Sequence, residues 1–265
     1  MSSKDNILAQ LNRGGKEIYT FTEIRSIASD FSQGTVRKVL SELAKERRLI
    51  RLKREVYLYV PEGYQENWTA SNFWIGANLV QPYTISFWSA LNHWGLTEQL
   101  PKRTYIQTNK GIANYSENIL GSEYQFIRLS PKRFFGITQI WVANHQVNIT
   151  DPEKTLVDCL AFPAYCGGIS EVIKGLYNFY QTNQTKNIVE YAEKMGQPVL
   201  KRLGYLLEIL EISNEVELDK IKSLITNPNP VVLEPLLPVE NSRRDSKWKL
   251  NINIAKEDLL NWKTT

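Results

Sequence analysis

Apolar residues at Ile7, Leu8 and Leu11 fall at i, i+1 and i+4, one face of a short helix that the Gly14-Gly15 pair ends. Thr20 and Glu23 have the spacing of a capping box, which starts a second helix with Ile24 and Ile27 turned inward and an end near Ser29. Val36, Val39, Leu40, Leu43 and Ala44 then form an unbroken apolar stripe along a third helix, with Lys38, Ser41 and Lys45 on its far side. From Ile50 to Val60 the period changes to two, with Lys53-Arg54-Glu55 in the middle, and this predicts a β-hairpin. Pro61-Glu62-Gly63 punctuates the chain and sets a domain boundary near residue 63, giving units 1–62 and 64–265.

Beyond the boundary the pattern is mixed. Trp68 to Val80 reads as a buried helix, and Tyr83 to Ser86 as a short strand running into a helix through Trp88, Ala90 and Leu91. Arg103 to Gln107, Glu123 to Leu129, Ile137 to Ala143 and Gln146 to Ile149 are β-rich and predict one sheet of antiparallel hairpins. From Asp151 the period is helical through Leu156–Phe162, Glu171–Tyr180, Ile188–Lys194 and Leu200–Leu210, followed by a Pro-rich stretch and a basic tail. The predicted class is α+β: an N-terminal winged helix-turn-helix followed by a larger mixed α/β domain.

Composition narrows the function. The 265 residues are 42% hydrophobic, as in ordinary folded chains. The longest apolar stretches, such as Phe73 to Val80, end after about eight residues, too short for a membrane span. The start, MSSKDNIL, lacks the pattern of a signal peptide, so the expected compartment is the cytoplasm, with no membrane partner. Cys159 and Cys166 are too few for a disulfide framework, and with His93 and His145 they leave little material for a metal site. Net charge is +4, yet residues 1–60 carry +5 and the rest −1. Between residues 35 and 54 eight basic side chains face only Glu42 and Glu46, a local anion-binding signal.

Helix, helix, turn, basic helix, hairpin is the order of a winged helix-turn-helix, whose third helix enters the major groove of double-stranded DNA. Gln33, Thr35, Arg37, Lys38 and Ser41 are then candidates for base edges. Lys45, Arg47, Arg48, Arg51, Lys53 and Arg54 are candidates for phosphates. The tip departs from the common pattern, since Glu55 stands where glycine is usual. A helical module that only contacts other proteins stays open.

Asp151-Pro152-Glu153-Lys154 carries the residue types of a metal-dependent nuclease, but Asp at the N-cap, Pro at N1 and Glu in the first turn are also how a helix starts. Ser86, Ser89 and His93 bring hydroxyls near an imidazole without an orienting acid or oxyanion hole. Gly167-Gly168 could cradle a phosphate or simply separate two helices.

The strings YTISFWSALNHWGLTEQLP (Tyr83–Pro101), FFG (Phe134–Gly136), DPEKTLVDCLAFPAYCGG (Asp151–Gly168) and KRLGYLLE (Lys201–Glu208) resemble the AbiEi family of antitoxins from type IV toxin-antitoxin systems. The likeness spans about residues 5 to 255. It implies a repressor that binds inverted repeats in its own operator through the N-terminal domain. It further implies that the C-terminal domain neutralises a nucleotidyltransferase-like toxin in defence against phage. On that likeness Asp151, Glu153, Lys154, Gly167, Gly168, Lys201 and Arg202 mark the antitoxin domain, without an enzymatic role, cofactor or metal. A stand-alone transcription regulator and a nuclease-like or phosphotransfer enzyme remain alternatives.

Overall fold

The computed structural model describes residues 2–63, 70–111, 114–182 and 188–263. The N-terminal region runs α1 (Ser3–Gly14), β1 (Ile18–Thr20), α2 (Phe21–Ile27), α3 (Gln33–Lys45), β2 (Leu49–Lys53) and β3 (Val56–Tyr59). Local chemistry explains each helix end. Ser2 and Asp5 form a capping box on α1, which Gly15 closes at φ 64°. Thr20 and Glu23 form another on α2, and the Ser32 hydroxyl accepts the Thr35 amide at the start of α3. The three strands pair antiparallel in the order β1-β3-β2. Ile7, Leu11, Ile24, Val36, Leu40 and Leu43 close a small core between helices and sheet.

The second region opens with α4 (Asn72–Ala77), β4 (Thr84–Ile85), α5 (Phe87–His93) and β5 (Arg103–Thr108). The helix expected over Trp68–Val80 is therefore only the short α4; positions 68 and 69 lie outside the described residues. Two hairpins follow, β6 (Tyr115–Ile119) with β7 (Ser122–Arg128), and β8 (Ile137–Val142) with β9 (His145–Thr150). They flank the antiparallel β4–β5 pair, giving the order β6-β7-β5-β4-β9-β8. Each hairpin joins the centre through its second strand, and both joints, β5 with β7 and β4 with β9, are parallel. The expected antiparallel hairpins are present in one sheet, and their parallel joints to β5 and β4 make that sheet mixed.

The helical part contains α6 (Pro152–Ala161), α7 (Ile169–Gln181), α8 (Ile188–Met195), α9 (Gln197–Leu210) and α10 (Glu215–Ser223). A small sheet in the order β10-β12-β11 follows, from β10 (Val231–Val232), β11 (Arg243–Asp245) and β12 (Leu250–Ile252), then α11 (Lys256–Leu260). The helix α9 is buried almost all round, and Trp248, just before β12, packs against it at Gly204. The chain is a mixed α+β protein, and among the described residues no helix is long and apolar enough to cross a membrane.

The expected boundary at residue 63 is bridged in space. Ile18, Leu52, Val56 and Leu58 of the N-terminal sheet share one apolar cluster with Ile75, Leu79, Tyr83, Ile106, Tyr124 and Val147. Polar contacts reinforce the joint. His145 Nε2 lies 3.0 Å from Glu17 Oε2, and the His145 ring stacks on Trp74 with centroids 3.9 Å apart.

Candidate nucleic-acid interface

The apolar stripe of α3 faces inward, so its opposite stripe must face water. Gln33, Arg37, Lys38, Ser41 and Lys45 are all exposed there, with the small Gly34 and Ala44 between them. Among the described residues nothing in the second region covers this face. Thr35 differs from its neighbours, because its hydroxyl lies 2.9 Å from Ser32 Oγ and it is part of the helix cap. It is half-buried, and its hydroxyl is shared with the cap.

Arg37 is fixed on two sides. Its guanidinium lies 4.2 Å above the centre of the Phe21 ring, and its Nη2 is 3.2 Å from Glu55 Oε1 at the hairpin tip. Arg47, Arg51 and Arg54 are exposed beyond the end of α3 and along the hairpin. Arg51 Nε donates to the Lys53 carbonyl at 3.3 Å, which leaves the rest of its guanidinium outward.

Two expected phosphate contacts are used elsewhere. Only 13% of the Arg48 side chain is exposed; Nη1 sits 3.7 Å from Glu62, and among the described residues Nε has no hydrogen-bond partner. Lys53 Nζ donates to the Leu79 carbonyl across the joint, and its burial lowers its pKa from the usual lysine value. An ammonium held on a carbonyl inside the joint is not free to meet a phosphate. Sequence could not show this, since the acceptor lies in the other region.

The motif of the second region is mostly buried. Asp151 caps α6, one oxygen accepting the Lys154 amide at 2.7 Å and the other the Tyr191 hydroxyl at 3.1 Å. Burial raises the pKa of Asp151 and of its half-buried neighbour Glu153. Lys154 is fully buried, pairs with Asp158, and lies 4.9 Å from the Phe135 ring. Gln107 completes that network, donating to Asp158 Oδ2 at 2.6 Å. Among the described residues no group of His, Cys, Asp and Glu could hold a metal ion.

Gly168, at φ 87°, starts α7, and the Ile169 amide donates to Glu234 Oε2 at 2.6 Å. A protein carboxylate thus occupies the place where the Gly167-Gly168 pair could have met a phosphate. Lys201 Nζ donates to the Asn229 carbonyl at 2.6 Å, while Arg202 holds the carbonyls of Leu160 and Val232 at 2.7 and 2.8 Å. Burial pushes the Arg202 pKa down to about 10. These side chains lock the chain following α10 onto α9 and form interior structure. Ser89 Oγ accepts the Tyr105 amide at 3.0 Å, and His93 instead packs edge-on against Trp94 with ring centroids 4.9 Å apart. No hydroxyl–imidazole pair forms among these described residues.

The sequence pattern marks Glu55 at the hairpin tip but neither its contact with Arg37 nor the place of Phe21 beneath that guanidinium. Their separations along the chain match no helical or strand period, so no local pattern announces the contact.

No family model matches the chain, and no curated protein matches it. Among solved structures it is similar to the crystal structure of the RV2827C protein from Mycobacterium tuberculosis, with a TM-score of 0.67 and 14% identity, covering 99% of this chain and 95% of that one. At that identity the likeness establishes the fold alone.

Proposed function

We propose that the chain is a double-stranded DNA-binding repressor and antitoxin of a type IV toxin-antitoxin operon, working in the cytoplasm. In this reading residues 1–62 are a winged helix-turn-helix, with α3 as recognition helix and the β2–β3 hairpin as wing. The observation that carries it is the division of α3 into a buried apolar stripe and an exposed stripe containing Gln33, Arg37, Lys38, Ser41 and Lys45. An uncovered basic helix next to a basic hairpin suits the major groove and its flanking phosphates. Arg37, Lys38, Gln33 and Ser41 read bases; Lys45, Arg47, Arg51 and Arg54 hold the backbone. The antitoxin role rests on the resemblance of the Asp151–Gly168 and Lys201–Glu208 strings. Because those strings are largely interior, they specify the fold of residues 64–265, and the surface that meets a nucleotidyltransferase-like toxin lies elsewhere on it.

Gel-shift titration against the DNA upstream of the gene tests the first half. Replacing Arg37 and Lys38 by alanine is expected to cost about 1–3 kcal/mol per lost base contact. Replacing Arg51 and Arg54 is expected to lower the salt slope by about one per lost phosphate. Unchanged affinity and slope in both pairs would remove α3 from the interface. The second half is tested by co-expression with the product of the adjacent gene, scored for growth: no rescue by the full chain ends the antitoxin reading and leaves the repressor.

A further inference from the structure

Glu55 is costly where it stands. It has φ 61°, the left-handed region that favours glycine, and it places a carboxylate beside the helix assigned to face phosphates. Glycine would remove both costs. What glycine could not supply is the carboxylate, although its backbone carbonyl would keep the bond to Phe21. The Glu55 carbonyl accepts the Phe21 amide at 2.8 Å, its carboxylate holds Arg37 Nη2 at 3.2 Å, and the Phe21 ring underlies the Arg37 guanidinium at 4.2 Å. The start of α2, the second turn of α3 and the hairpin tip close into one triangle around a single arginine. Phe21 is 5% exposed and cannot yield, while half of the Arg37 side chain remains open to solvent.

We propose that Glu55 and Phe21 are positioning residues that make Arg37 the specificity-determining reader of a guanine. This rests on the DNA-binding reading above. An arginine meant only for phosphate gains nothing from a fixed plane and loses attraction to an adjacent carboxylate. One meant for a base gains from both supports: the ring fixes the plane and the carboxylate takes one edge, so the remaining N–H groups point outward as a fork. That fork matches O6 and N7 of guanine, two acceptors side by side; adenine offers an acceptor and a donor on the same edge. The carboxylate also weakens binding to arbitrary duplex, which widens the gap between right and wrong sites.

The test uses the full chain. Sites are selected from a random duplex library, and each base pair of the selected site is then changed in turn. Arg37→Ala is expected to lose roughly tenfold discrimination at one G·C pair. Glu55→Gly is expected to lose discrimination at that same pair while its affinity for unrelated duplex rises and its Tm holds or increases, because glycine tolerates the tip conformation. Glu55→Gln, which keeps an acceptor but no charge, is expected to fall between. A loosened tip acting only through stability would lower Tm and weaken all sequences alike. Full discrimination in Glu55→Gly, or its loss at a different pair from the one lost in Arg37→Ala, overturns the positioning role while the DNA-binding reading stands. A native chain that selects no duplex removes both.

Discussion

Lys154→Met is expected to destabilise the chain by about 3–5 kcal/mol at neutral pH, because it strands the Asp158 carboxylate in a site with no access to water. The pair links successive turns of α6, and Gln107 on β5 bonds to the same carboxylate, so the loss falls on the seam between helix and sheet. Burial already raises the Asp158 pKa. Without the ammonium it rises further, and the native state then retains a proton that the unfolded chain releases above about pH 4. The native state binds more protons, so the variant's stability falls as pH rises, by about 1.4 kcal/mol per unit, until the pH passes the new native pKa. Urea titrations between pH 5 and 8 measure this. Lys154→Met with Asp158→Asn removes both charges yet leaves Gln107 an acceptor, and is expected to recover most of the loss. A single variant as stable as the parent at pH 8 would show that the ion pair does not carry the seam.

Gly204→Ala is expected to cost a comparable amount for the opposite reason, too much volume. A methyl there would lie 2.0 Å from Cζ3 of Trp248, whose indole is fully buried and whose Nε1 donates to Glu208 Oε2 at 2.6 Å. Since α9 is buried nearly all round, the helix cannot retreat, and the indole must leave. Expulsion of a buried tryptophan costs about 3–5 kcal/mol, judged from truncation of large aromatic residues. The damage should centre on β10, β11 and β12, which Trp248 pins to α9. Limited proteolysis should therefore cut the Gly204→Ala chain within residues 225–250 before any other segment. Adding Trp248→Leu should return part of the stability, the coupling expected of touching groups. Strict additivity of the two changes would show that they do not meet.

What sequence reading reached and what it missed divide by the range of the interaction. Thr20 with Glu23, Gly15 after α1, and Asp151-Pro152 at the start of α6 are contacts between near neighbours, and their spacing alone declares them. The buried and open faces of α3 were also legible, because a helix repeats its environment every turn, save that Ala44, read into the inward stripe, is exposed. Strand pairing is another matter. The three-residue β1 carries no period of its own and exists through its partner β3, while the parallel joints of the main sheet depend on where the hairpins dock. Charge was the least transparent signal. Arg48 and Lys53 read as phosphate contacts and Lys154, Lys201 and Arg202 as marks of the second domain, yet each has its charged end drawn to a carbonyl or carboxylate brought close by folding.

The apolar cluster shared across residue 63 bears on how portable the N-terminal region is. Ile18, Leu52, Val56 and Leu58 form a strip that the second region covers in the intact chain. Fused to a foreign protein, residues 2–63 would carry that strip bare, and an exposed apolar surface of this kind recruits copies of itself or whatever else is at hand. Sedimentation of such a fusion should reveal self-association, and the same fusion with Leu52 and Leu58 made polar would lose its own sheet packing in exchange. The region is a specialised end of one molecule, shaped to its neighbour, and lineages that exchange such ends would have to carry α4 and the face of the large sheet along with them.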